Sequence, residues 1–139
     1  MPFLLDTCAI SELAAQVPDQ RAVDRILSLP RDELFLSVIV VGELHAGIEQ
    51  MPPSKRKDFL RSWFTDHVLT LYADRTHGID APTAIRWGAL TSETRKRGLP
   101  MQISDALIAA TALVHDLTVV TRNDADFAPS GVKVFNPWK

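Results

Sequence analysis

One cysteine, Cys8, stands in a chain of 139 residues. An internal disulfide is therefore excluded, and the thiol usage fits a reducing compartment. No apolar run approaches the ~20 residues that a membrane span needs. The short apolar start, Phe3 to Leu5, follows no basic segment. No secretory leader is expected, and the cytoplasm is the expected location. Neither sign of charge prevails: 15 Lys and Arg against 17 Asp and Glu leave a formal charge of −2. That is not the footprint of a protein that coats nucleic acid electrostatically. It leaves room for an enzyme acting on nucleic acid whose own acids gather at one cation site. Repeats, low-complexity tracts and linkers are lacking, and so is a Walker-type glycine loop for nucleotide phosphates.

What is there is an ordinary globular composition, 46% hydrophobic and 23% charged. The length suits a single domain, residues 1–139, with one core. Short apolar runs alternate with helical patterns, the signature of a parallel sheet with helices on its faces. Strands are expected at Phe3–Leu5 and in "ELFLS", "VLTLYA", "LTVVT" and "VKVF". Helices are expected from Thr7 to about Ala15, from Pro18 to Pro30 and, capped by Ser37, to about Gln50. Further helices should follow the cap at Ser54, run from Asp80 to Gly98, and extend from a cap at Ser104 to about His115.

Four acidic positions then call for a reason. Asp6 closes the first strand, and in open parallel sheets ligands bind beyond the carboxyl ends of strands. Capping the helix that begins at Thr7 would equally account for it. On a helical wheel Glu43 falls inside the apolar arc of Ile39, Val40, Leu44, Gly47 and Ile48, while His45 and Glu49 lie opposite. An ionised carboxylate there needs a partner, either a site cation or an arginine such as Arg86 or Arg122. Asp105 opens an apolar helix, where the helix dipole alone favours an acid. Asn123, Asp124 and Asp126 follow the strand that ends at Thr121, and turn chemistry alone uses such residues.

Each position has an ordinary explanation, but the set has a different one. Oxygen ligands from strand ends and sheet-packed helices, with no cysteine or histidine spacing for zinc, describe a hard-cation site for Mg²⁺ or Mn²⁺. His45, His67, His77 and His115 show no ligand spacing with one another. They read as surface or helix-end residues.

The segments "LLDTCAISEL", "LSVIVVGELHAGI", "QISDALIAATA", "TVVTRNDADF" and "VFNPWK" together resemble the PIN-domain ribonucleases. Within that family they are most similar to the VapC/FitB-type toxins of bacterial toxin–antitoxin pairs. The resemblance implies a three-layer α/β/α sandwich around a central, mostly parallel sheet. It implies a metal-dependent endoribonuclease that inhibits translation and growth unless bound by its antitoxin. Asp6, Glu43 and Asp105 match the family's metal-binding acids, for Mg²⁺ with Mn²⁺ able to substitute. Asn123 matches a fourth catalytic position that is acidic in many relatives, which leaves Asp124 or Asp126 to replace the missing charge. Thr7, Thr121 and Arg122 stand beside these acids as substrate or phosphate contacts, and basic helix ends near Lys55 and Arg95 could guide phosphates. Cys8 occupies a position where many relatives carry asparagine, and no role follows for it.

The resemblance also implies partners. These are a small DNA-binding antitoxin of VapB/FitA type, an RNA substrate, operator DNA reached only through the antitoxin, and a second copy in a homodimer. No membrane contact is implied. The aromatic residues Phe59, Trp63 and Phe64 either serve that dimer or fill the core. The alternative reading of the whole chain is a non-catalytic module that binds a partner and represses an operon. Phosphoryl-transfer folds of the haloacid-dehalogenase or receiver type also begin from an aspartate after strand one. The former needs a second aspartate where Cys8 stands, and the latter an aspartate closing its third strand.

Overall fold

The computed structural model describes all residues, Met1–Lys139. Five short parallel strands form one sheet in the order β3-β2-β1-β4-β5: β1 (Phe3–Leu5), β2 (Leu34–Ser37), β3 (Thr76–His77), β4 (Thr118–Val120) and β5 (Val134–Phe135). Seven α-helices connect them: α1 (Thr7–Glu12), α2 (Gln20–Leu27), α3 (Val38–Glu49), α4 (Lys55–Trp63), α5 (Ala81–Lys96), α6 (Ile103–His115) and α7 (Asp124–Phe127). Leu4, Leu5, Leu36, Val119 and Val120 are fully buried on successive positions of the inner strands. A sheet apolar on both faces requires helices on both, which is the expected α/β/α sandwich. Every strand pair is parallel. No helix is long and apolar enough to cross a membrane.

The order has one consequence for the site. From β1 the chain winds outward to β2 and β3, then returns to place β4 on the other flank of β1. The strand order thus reverses between β1 and β4, the place at which open parallel sheets take ligands beyond the strand ends. Asp6 follows β1 and Thr121 follows β4, so both stand at that reversal.

The third strand lies elsewhere than "VLTLYA". That run continues α4 as a π-helical segment, Phe64–Leu69, and the turn after it. Phe64, Val68 and Tyr72 are buried at a spacing of four while Leu69 and Leu71 are exposed. Apolar content suggested a strand, but the burial follows a helical period. The actual strand, Thr76–His77, is two residues long and pairs with Leu36 and Ser37. A second difference is at α6: its N-cap is Gln102, and Ser104 lies inside the helix. Of the three aromatics, Phe64 is core, Trp63 packs partly against it, and Phe59 is exposed under the Arg56 guanidinium. His77 stacks on both Phe35 and His115, so two of the four histidines are packed together instead of standing apart.

Candidate active site

Asp6 is the N-cap of α1. Its Oδ1 accepts from the Thr7 amide at 2.8 Å. Its Oδ2 accepts from the Thr121 hydroxyl at 2.8 Å and faces the Cys8 thiol at 3.6 Å. The side chain is only 6% exposed, so burial is compensated by three donors from two segments that are far apart in sequence. Thr121 is fully buried and also accepts from the Asn123 amide at 3.0 Å. Cys8 accepts from the Arg122 amide at 3.4 Å, and burial pushes its thiol pKa up. It is a neutral, packed donor in the wall of the site.

Glu43 lies on the exposed side of α3, whose buried residues are Val40, Leu44 and Ile48. The wheel placed it in the apolar arc; Gly47 and Ala46 beside it are exposed too, and the arc is the wall of a cleft. Neither Arg86 nor Arg122 meets it. Its partner is Thr7, whose hydroxyl donates to Oε1 at 2.7 Å. Thr7 thus ties two acids: its amide to Asp6 and its hydroxyl to Glu43. Beside Glu43 a groove of about 270 Å³ opens, lined by Thr7, Ser11, Gly47, Arg56 and Trp63 among others.

Asp105, in the first turn of α6, shows what these neighbours do to one another. Its pKa is raised to about 6, first by burial and then by the charges of Asp6, Asp126 and Glu43. Like charges resist the ionisation of a common neighbour. Four acids therefore share one field, and the ion pairs of the molecule, at Glu33, Glu49, Asp74 and Asp124, all lie elsewhere.

The cluster at residues 123–126 sorts itself by partner. Asn123 is exposed and caps α7, with no side-chain hydrogen bond to it. Asp124 turns away from the site: it accepts from Asn136 Nδ2 at 2.8 Å and from Lys139 Nζ at 2.9 Å. Asp126 is the acid whose charge reaches Asp105. Arg122 extends over the Trp138 ring, 5.8 Å from its centroid.

No three Asp, Glu, His or Cys side chains converge closely enough to ligate a common ion directly. The donor set nevertheless suits a hard cation: it is all oxygen at its charged positions and lacks a positive partner. A cation there would meet some of these carboxylates through water.

The model of the PIN domain family matches residues 3–129. The chain belongs to the PIN domain family. The plasmid stability protein StbB of Pseudomonas syringae pv. tomato is 39% identical over 99% of each chain. Toxin FitB of Neisseria gonorrhoeae is 37% identical over 98% of each. A VapC ribonuclease of Sinorhizobium fredii is 32% identical, covering 99% of this chain and 98% of its own. The structure of FitAB bound to the IR36 DNA fragment superposes with a TM-score of 0.93 at 35% identity, over 99% of this chain and 96% of that one. Within the PIN domain, the matched span contains Asp6, Glu43, Asp105 and Asp126 alike.

Proposed function

We propose that this PIN domain is the toxin of a toxin–antitoxin pair and a cytoplasmic endoribonuclease that depends on Mg²⁺ or Mn²⁺. The observation that carries the proposal is a group of acids tied together without a basic partner: Thr7 and Thr121 hold Asp6 and Glu43, and Asp105 is raised to a pKa of about 6 by burial first and then by the charges of Asp6, Asp126 and Glu43. Such a group binds a cation and repels a phosphodiester unless the cation is present. The names of its relatives, a toxin and a VapC ribonuclease, support the same reading.

Asp6, Glu43 and Asp105 would hold the ion, with Asp126 as the fourth acid in place of Asn123. When bound, the ion supplies charge neutralisation at phosphoryl oxygens and a lowered pKa for water. The residues of this chain do the positioning. Thr121 and the Thr7 amide fix both oxygens of Asp6, and the Thr7 hydroxyl fixes Glu43. Arg122, exposed at the rim, is free to meet a backbone phosphate. In-line attack by water on the phosphodiester leaves a 5′-phosphate and a 3′-hydroxyl.

The partner follows from the same relatives: FitA stands with FitB in the DNA-bound complex. A corresponding antitoxin would lie along the groove beside Glu43 and carry operator DNA, and the toxin itself would pair as a homodimer. Sequencing RNA ends after expression of the chain and of Asp6→Ala tests the activity. New 5′-phosphate ends in the first and none in the second are expected; equal ends in both overturn it. The rival reading, a non-catalytic partner-binding module, draws on the lack of a preformed three-ligand set. A saturable rise in Tm with Mg²⁺ or Mn²⁺ speaks against that rival.

A further inference from the structure

We infer that Asn136 and Trp138 are positioning residues. They hold Arg122 at the rim of the acid site with its N–H donors unspent, set to take a backbone phosphate of single-stranded RNA entering that site. The motif "VFNPWK" has no other task in the proposed reaction. It runs out of β5, which pairs with β4, and so returns Asn136 and Trp138 to the turn that follows Thr121.

Asn136 ties down the backbone of that turn. Its Nδ2 donates to the Arg122 carbonyl at 3.2 Å and to Asp124 Oδ1 at 2.8 Å. Its Oδ1 accepts from the Trp138 amide at 2.9 Å, so one side chain joins the turn to the ring. From the other side the Arg122 amide donates to Cys8 Sγ at 3.4 Å, and Cys8 stands 3.6 Å from Asp6 Oδ2. Arg122 is thereby fixed by both its amide and its carbonyl against the wall of the acid site. Arg25 of α2 donates to the Pro137 carbonyl at 3.3 Å and anchors the motif itself.

The side chain is held in another way. Its guanidinium carbon lies 5.8 Å from the centroid of the Trp138 ring, within reach of a cation–π contact. A ring face orients a guanidinium without consuming its N–H donors. No carboxylate of the molecule consumes them either. Asp124, the acid nearest along the chain, is met by Lys139 Nζ at 2.9 Å and by Asn136, and these donors hold its carboxyl below the ordinary range. The same motif therefore gives Arg122 a ring and gives Asp124 a different cation. What remains is a fixed, unpaired fork of donors beside acids that have no basic partner, and such a fork suits phosphate oxygens. Filling the edge of the core explains why Trp138 is half-buried. It explains neither the Asn136 bridge nor the diversion of Asp124. The inference rests on the ribonuclease reading for the identity of the polyanion.

A double-mutant cycle tests this, read as the anisotropy of labelled oligouridine. Ca²⁺ suits an all-oxygen site and stands in for Mg²⁺, and a gel afterwards confirms that the probe is intact. Arg122→Gln should weaken binding about tenfold. Trp138→Leu should weaken it about two- to fivefold in the wild type and not at all in the Arg122→Gln protein, because its effect passes through that guanidinium. Trp138→Phe, which keeps a ring face, should recover most of the loss. Asn136→Ala removes no apolar surface and should follow the same pattern, so it carries the cycle if Trp138→Leu unfolds. Equal losses with and without Arg122, or no loss from Arg122→Gln, overturn the inference. So does coupling seen with polyglutamate and not with oligouridine, which would give Arg122 to an acidic protein partner. RNA-end sequencing decides the ribonuclease reading separately. No new ends from the wild type, with the coupling intact, overturn cleavage and keep Arg122 as a phosphate contact.

Discussion

The Thr121 hydroxyl donates to Asp6 Oδ2 at 2.8 Å, joining residues 115 positions apart at the ends of two adjacent strands. Asp6 is nearly fully buried, so this oxygen has little water to fall back on. Thr121→Val should destabilise the fold by about 1–3 kcal/mol, the usual result of leaving a buried acceptor unsatisfied. Thr121→Ser should restore most of it. Urea denaturation midpoints compare the three proteins; equal midpoints for Val and wild type would show that the bond carries no weight.

Thr7 is the link between Asp6 and Glu43. Thr7→Val keeps the backbone donor and removes only the hydroxyl. Glu43 is solvent-exposed, so folding stability should barely change. Metal affinity or cleavage should fall about 10–100-fold, the range seen when a group orienting a metal ligand is lost. Isothermal titration with Mn²⁺ alongside a cleavage assay reads both quantities.

Asp126 and Asp124 differ in what surrounds them, and the difference is testable. Asp126→Asn should lower metal-dependent cleavage and bring the Asp105 pKa down, because one of its repelling charges is gone. Asp124→Asn should leave cleavage intact and loosen Lys139 and Asn136, its two donors. Asn123→Asp added to Asp126→Asn should recover part of the activity if the fourth charge is needed at that corner. NMR titration of carboxyl carbons follows Asp105 directly.

Asp105 sets a pH dependence of opposite sign to that of an ordinary salt-bridged acid. Its folded pKa, about 6, lies above the ordinary aspartate value of 3.8. Between these values the folded state binds more protons than the unfolded one, so this contribution to stability falls as pH rises from about 4 to about 6. Asp105→Asn should therefore stabilise the metal-free protein at pH 7 and have no such effect below pH 4. The carboxyl is partly open to solvent, which keeps the gain modest, on the order of 2–4 °C in Tm. Divalent cation should stabilise the wild type and narrow the difference. Thermal melts at several pH values, with and without Mg²⁺, check the sign.

Much of this architecture was legible in the residues. β1, α3 and β4 are bounded by clear signals: Asp6 and Ser37 as caps, and a buried apolar run before Thr121. The third strand was not legible, because Thr76 and His77 form two bonds' worth of ladder with no apolar pattern. The apolar residues just before them obey a helical period. The site was legible as a set of acids and not as a geometry. Asp124 and Asp126 are two residues apart in a four-residue helix, and only the tail residues Asn136 and Lys139 decide which of them faces away. Glu43 falls in the apolar arc of its helix, and only the structure shows that this arc is the wall of a cleft, because a wheel cannot tell a core from a cleft wall.

The central strand is the first to be made and its neighbour β4 almost the last. Phe3 must wait for Thr118 before their edges can join. A nascent chain still tethered to the ribosome short of that point has Asp6 without Thr121, and no assembled acid site. Synthesis itself thus imposes an order, in which the acid corner can close only when most of the chain has been made.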